Sequence, residues 1–273
     1  MIITTTKRPN AADDVLLKAY ILDTLSDVQI DLHRPAVLIC PGSGYKRLSE
    51  REDEAIAMKF LSFGFNAFVL KYSVGENLKH PMPITDIMWA ISHIRENNNK
   101  YKINKDKIAV CGFSAGGHCA ASLGVFWNNS EYARMAGTTI MKTKPNALIL
   151  CYPVITAGDY AHKGSFEYLL KDDVDNKAAR DSVSLEKHVG EHTPPTYIFH
   201  TMDDQSVPVE NSLLFASALA KNKIPFELHI FPTGPHGISL AENFTANRPE
   251  MIQPRVQDWI CEAITWLRDL FKV

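Results

Sequence analysis

Short, unbroken apolar runs recur along the chain and alternate with longer stretches whose apolar positions fall three and four apart. The runs are Pro35-Ala36-Val37-Leu38-Ile39-Cys40, Asn66 to Tyr72, Lys107-Ile108-Ala109-Val110-Cys111 and Ala147 to Tyr152, and Thr196 to His200 and Phe226 to Phe231 read as two further strands. A strand that is apolar at nearly every position is one buried on both faces. Helical spacing follows in Ala55, Ile56, Met58, Phe60 and Leu61, then in Ile84, Ile87, Met88, Ala90, Ile91 and Ile94, and again over Asn211 to Lys221 and Gln253 to Phe271. Strands alternating with helices predict an α/β fold: a mostly parallel central sheet with helices on both faces.

The ends of this pattern carry finer expectations. Val15 to Leu22 and Val28 to Leu32 read as two strands joined by Asp23-Thr24-Leu25-Ser26, an antiparallel opening. Ser49-Glu50-Arg51-Glu52 reads as a capping box, with Ser49 as N-cap of the helix that runs to Gly64. Between Val154 and Thr193 the alternation breaks into a polar stretch, longer than an ordinary connection. The expectation is one domain over residues 1–273, with a cap-like insertion of short helices at about 154–193.

Composition narrows the function classes. At 273 residues, 45% hydrophobic and 22% charged, the chain can bury a sizeable core and resembles neither a disordered nor a membrane sequence. A formal net charge of -2 supplies no basic field for nucleic acid or an anionic membrane. No apolar segment is long enough to span a bilayer, and Met1 to Pro9 has no apolar core of signal-peptide length, so a cytoplasmic protein is expected. The five cysteines, Cys40, Cys111, Cys119, Cys151 and Cys261, form no C-x-x-C pair and read as small buried hydrophobes.

The chemistry centres on Gly112-Phe113-Ser114-Ala115-Gly116, a G-x-S-x-G between an apolar strand and a small-residue helix, as a nucleophile elbow requires. A serine hydroxyl needs an adjacent base, and the base an orienting acid. In open α/β sheets these converge beyond the carboxyl ends of strands. His236, in Pro235-His236-Gly237 just after the last strand, is the candidate base. Asp203 and Asp204, after the preceding strand, both qualify as the acid. Backbone N–H groups for an oxyanion are expected from Ala115 and from the loop Gly42-Ser43-Gly44-Tyr45. His200 reads as a satisfied core histidine and His118 as a packing residue of the elbow helix. His188-Val189-Gly190-Glu191-His192 matches the zinc motif H-x-x-E-H, but Gly190 and the following Pro194-Pro195 argue against the helix that motif needs.

These residues resemble the α/β-hydrolase superfamily serine esterases, of the acetyl xylan esterase-like and feruloyl esterase-like type, near the hormone-sensitive-lipase group. The resemblance runs from about Pro35 to His236. It rests on Pro41-Gly42-Ser43-Gly44-Tyr45, Ser49 to Glu52, Gly112 to His118, Asp204 with Val207-Pro208, and Pro235-His236-Gly237. It selects Asp204 over Asp203, which gives a triad of Ser114, Asp204 and His236, with the amides of Ser43, Gly44 and Ala115 as the oxyanion hole. Ser43 departs from the family pattern, which has glycine there.

The expected function is a serine ester hydrolase without cofactor or metal, removing short acyl groups, acetyl above all, through an acyl-enzyme. The expected partner is a small ester, an acetylated sugar among the candidates, with no nucleic acid and no membrane, and homo-oligomer formation is left open by the sequence. A peptidase or amide hydrolase on the same triad is the first alternative, and a non-catalytic binding protein on a hydrolase scaffold the second.

Overall fold

A computed structural model describes residues 1–11, 15–23 and 33–273. Among the described residues the strands are β1 (Ile2–Lys7), β2 (Leu16–Ile21), β3 (Arg34–Cys40), β4 (Asn66–Lys71), β5 (Ile103–Phe113), β6 (Ala147–Cys151), β7 (Thr196–Thr201) and β8 (Phe226–Phe231). They form one sheet in the order β1-β2-β4-β3-β5-β6-β7-β8. From β4 to β8 every pairing is parallel, and β1 and β2 add an antiparallel edge. The antiparallel opening thus exists, but β2 pairs with Ile2–Lys7. Polar threonines conceal that strand from an apolar-run search, and only one of its faces is even partly covered. The expected strand Val28 to Leu32 lies outside the described residues.

The helices are α1 (Glu54–Ser62), α2 (Met82–Glu96), α3 (Asn98–Tyr101), α4 (Ala115–Phe126), α5 (Ser130–Met135), α6 (Ile140–Thr143), α7 (Lys163–Leu170), α8 (Lys177–Val183), α9 (Glu210–Lys221) and α10 (Trp259–Phe271). Successive side chains of a strand point to opposite faces, so each central strand feeds two cores. Leu38, Val110, Leu148 and Ile198 face one side, where Ile87, Met88 and Ile91 of α2 and Leu123 of α4 cover them. Val37, Ile39, Cys111, Ile149 and Phe199 face the other, covered by Ile56 and Phe60 of α1 and by Ile260, Ile264 and Leu267 of α10. Each such side chain contributes roughly 1.5–3 kcal/mol on burial. That double coverage explains why the central strands are apolar throughout.

Two local expectations change. The Ser49 side chain makes no capping bond, and residues Glu50–Glu52 form a 3-10 turn before α1 begins at Glu54. The helix at the C-terminus begins at Trp259, after a turn over the preceding residues. The segment 154–193 does carry short helices, α7 and α8. Among the described residues no helix is long and apolar enough to cross a membrane.

Candidate active site

β5 ends at Phe113 and α4 starts at Ala115, so Ser114 alone makes the turn between them. Its φ of 53° is positive, a strained conformation for a residue with a Cβ. The turn closes only because its neighbours lack side chains. A Cβ on Gly112 would sit 2.2 Å from the carbonyl oxygen of Gly116, and one on Gly116 would sit 2.1 Å from that of Cys40. The Ser114 N–H donates to the Cys151 carbonyl at 3.0 Å, which ties the turn to β6.

The sequence candidates meet here. Ser114 Oγ lies 2.8 Å from His236 Nε2, and His236 Nδ1 lies 2.7 Å from Asp204 Oδ2. An ionised carboxylate only accepts, so Nδ1 carries the proton and Nε2 is left to accept from the serine hydroxyl. Asp204 is held from behind as well: Oδ1 accepts the N–H groups of Ser206 and Val207, each at 2.9 Å. Burial opposes its ionisation, but hydrogen bonds from His200 and His236 outweigh that and hold the carboxyl well below the usual carboxylate range.

His200 is fully buried. Its Nε2 donates to the Val207 carbonyl at 3.0 Å and approaches Asp204 Oδ2 at 3.3 Å, while Nδ1 accepts from Ser212 at 2.8 Å. It is satisfied, as its sequence position implies, and it also backs the acid. Asp203 is turned away from the imidazole: its Oδ1 accepts the Gly234 N–H at 2.7 Å and anchors the loop that carries His236.

The loop after β3 carries Ser43, Gly44 and Tyr45 with consecutive positive φ values of 111°, 66° and 60°, and Ser43 and Gly44 line the same cleft while Tyr45 is buried. Among the described residues, the N–H groups of Ser43, Gly44 and Ala115 have no hydrogen-bond acceptor. Ala115 is the first residue of α4, where a free N–H and the positive end of the helix dipole coincide.

Two supports were not legible as such. Glu52, read as half of a capping box, is buried beneath the loop. Its Oε2 accepts the Gly42 N–H at 2.8 Å and its Oε1 accepts the Tyr152 hydroxyl at 2.7 Å. Tyr152 in turn accepts the Ser239 N–H at 3.0 Å and packs edge-on against the His236 ring, with centroids 5.2 Å apart. His118 is the second. Its Nε2 donates to the Val183 carbonyl at 2.9 Å, so its Nδ1 accepts from the Tyr45 hydroxyl at 2.8 Å. Burial pushes its pKa down to about 4. No sequence signal identifies either support, because their partners lie far along the chain.

The cleft over Ser114 encloses about 320 Å³, and His162, Gly164 and Tyr168 of the inserted segment form part of its wall. His188 and His192 do not share a site, since His188 donates to Asp181 O and His192 to Val125 O. Among the described residues no cluster of three or more His, Cys, Asp or Glu side chains has the makings of a metal site.

The family model BD-FAE matches residues 22–219. The chain is 42% identical over 221 residues to endo-1,4-beta-xylanase B of Butyrivibrio fibrisolvens, a match covering 78% of this chain and 34% of that protein. It is 29% identical to an acetylxylan esterase of Xylanibacter ruminicola, covering 77% of this chain and 42% of that one. The chain thus spans about a third to two-fifths of the length of these curated relatives. Among solved structures, an acetyl ester-xyloside bifunctional hydrolase from Caldicellulosiruptor lactoaceticus superposes with a TM-score of 0.81 at 36% identity, covering 96% of this chain and 90% of that one.

Proposed function

The chain belongs to the BD-FAE family, with acetyl xylan esterase-like relatives of the α/β-hydrolase fold, and on that premise we propose that it is a serine esterase acting through Ser114, His236 and Asp204. The observation that carries the proposal is the continuous run of hydrogen bonds from Ser114 Oγ through His236 to Asp204, at 2.8 and 2.7 Å, opening into the cleft.

In this reading Ser114 Oγ attacks the ester carbonyl carbon while its proton passes to His236 Nε2. The carbonyl π electrons move onto oxygen, and the N–H groups of Ser43, Gly44 and Ala115 stabilise that charge. Collapse of the tetrahedral intermediate expels the alcohol, which takes the proton from His236, and leaves an acyl group on Ser114. Water, deprotonated by His236, then releases the acid. Asp204 remains ionised throughout and stabilises the imidazolium. The substrate we assign is a short-chain ester, acetyl on a carbohydrate, in keeping with the names of the relatives. The cap role of the segment around α7 and α8 and a cytoplasmic location belong to the same reading; five unpaired cysteines favour a reducing compartment.

The test is turnover of p-nitrophenyl acetate and of acetylated xylobiose by the wild-type chain and Ser114→Ala. Loss of all but a residual rate in the variant is expected. Wild-type activity in Ser114→Ala would remove the proposal.

A further inference from the structure

We infer that His162, on the inserted segment, is a specificity-determining residue whose Nε2–H donates a hydrogen bond to a hydroxyl or ring oxygen of the substrate's alcohol half. The inference deepens the esterase reading and rests on it.

The tautomer of His162 is set by its own backbone. It is the N-cap of α7, and its Nδ1 accepts the Ser165 N–H at 3.2 Å and lies 2.8 Å from Ser165 Oγ. Ser165 is fully buried, so this cap is sealed from water. A nitrogen that accepts a backbone N–H carries no proton of its own, so the proton of the neutral ring resides on Nε2. Burial and the nearby His236 both lower the pKa of His162, which favours that neutral ring. Among the described residues Nε2 has no hydrogen-bond partner, and it is not among the buried polar atoms left unsatisfied. The ring lines the cleft, so this donor is available to a ligand.

Its position indicates which half of the ester it meets. The His162 ring stands nearly parallel to the His236 ring, at 14° with centroids 6.5 Å apart, and its Cε1 is 3.7 Å from where a Cβ on Gly44 would be. In the proposed reaction the alcohol departs carrying the proton of His236. A donor flanking His236 therefore faces the departing alcohol. A plain aryl alcohol offers it nothing to bond, whereas a sugar presents hydroxyl and ring oxygens around the ester.

Two substitutions separate this role from capping. His162→Asn keeps an oxygen that can accept the Ser165 N–H, since Asn is a favoured N-cap, but it removes the Nε2 donor. His162→Gln places an amide donor near the Nε2 position. The readout is the ratio of kcat/KM for acetylated xylobiose to that for p-nitrophenyl acetate. In His162→Asn this ratio is expected to fall about tenfold, chiefly through KM for the sugar ester, as for one lost hydrogen bond. In His162→Gln most of the ratio is expected to return. An unchanged ratio in His162→Asn, or an equal loss on both esters, would overturn the inference. So would a wild-type chain that cleaves p-nitrophenyl acetate through Ser114 but ignores acetylated xylobiose, and that result would leave the esterase activity itself standing.

Discussion

The buried carboxylate of Glu52 accepts the Tyr152 hydroxyl at 2.7 Å across a sequence separation of 100 residues. Its other oxygen holds Gly42, immediately before the loop that carries Ser43 and Gly44. Tyr152 packs on His236, so one side chain links the loop on one side of Ser114 to the imidazole on the other. Glu52→Ala leaves two buried donors without acceptors, at roughly 1–3 kcal/mol each. A loss of roughly 2–6 kcal/mol in urea-unfolding free energy is expected, together with a lower kcat on p-nitrophenyl acetate at the temperature where the variant is still folded.

Asp203 and Asp204 are neighbours in sequence with separate tasks, and activity should separate them. Asp204→Asn removes the acceptor that fixes the His236 tautomer, and kcat is expected to fall by roughly 10³- to 10⁴-fold. Asp203→Asn keeps an oxygen able to accept the Gly234 N–H, and its loss should be far smaller, roughly tenfold or less. Steady-state rates on one ester at pH 8 would compare the two, and equal losses would contradict the division of roles.

Ser43 adopts a φ of 111°, in the region that glycine alone occupies without strain. Strain of this kind costs roughly 1–3 kcal/mol. Ser43→Gly relieves it but frees the unfolded chain, which offsets part of the gain. A net stabilisation of about 1 kcal/mol is expected from urea titration. A destabilised variant would mean that the Ser43 hydroxyl contributes more than its backbone conformation costs.

His118 predicts the response of stability to acid. Burial holds its folded-state pKa at about 4, below the ordinary histidine value of about 6.5, so the unfolded chain takes up the proton first as pH falls. Stability should therefore decline as pH drops from about 6.5 to about 4, by roughly 3 kcal/mol from this group. Burial also lowers the pKa of His80, His93 and His162, and these add with the same sign. Asp204, depressed instead, withdraws its contribution only below the ordinary carboxylate range. Urea titrations at pH 7 and pH 4.5 should show a smaller difference in His118→Gln than in the wild type.

The legible parts of this molecule are those with local signatures. Apolar runs located β3 to β7 because a doubly covered strand is apolar along its buried length. β8, half-exposed with Glu227 and His229, was located by its place in the alternation, and the elbow announced itself through glycines that no side chain can replace. Ser114 and His236 are legible from their places at strand ends, but that criterion left Asp203 and Asp204 both open until the resemblance selected Asp204. The fold brings Ser114, His236 and Asp204 within hydrogen-bond distance. Ile2–Lys7 stayed hidden because an edge strand needs no apolar face. Glu52 was misread because its spacing from Ser49 imitates a capping box, while its true partners, Gly42 and Tyr152, are brought near only by the folded sheet. The same holds for Tyr45 and Val183 around His118. Tertiary hydrogen bonds of buried polar groups leave no periodicity to find.

The most direct test of the central assignment is covalent. Wild-type chain incubated with a fluorophosphonate ester at pH 8 and digested for mass spectrometry should carry a single adduct, on Ser114. Labelling should slow by orders of magnitude in His236→Ala, because the hydroxyl then has no base. An adduct on any other residue, or a Ser114 that labels equally fast without His236, would contradict the assignment of Ser114 as the activated nucleophile.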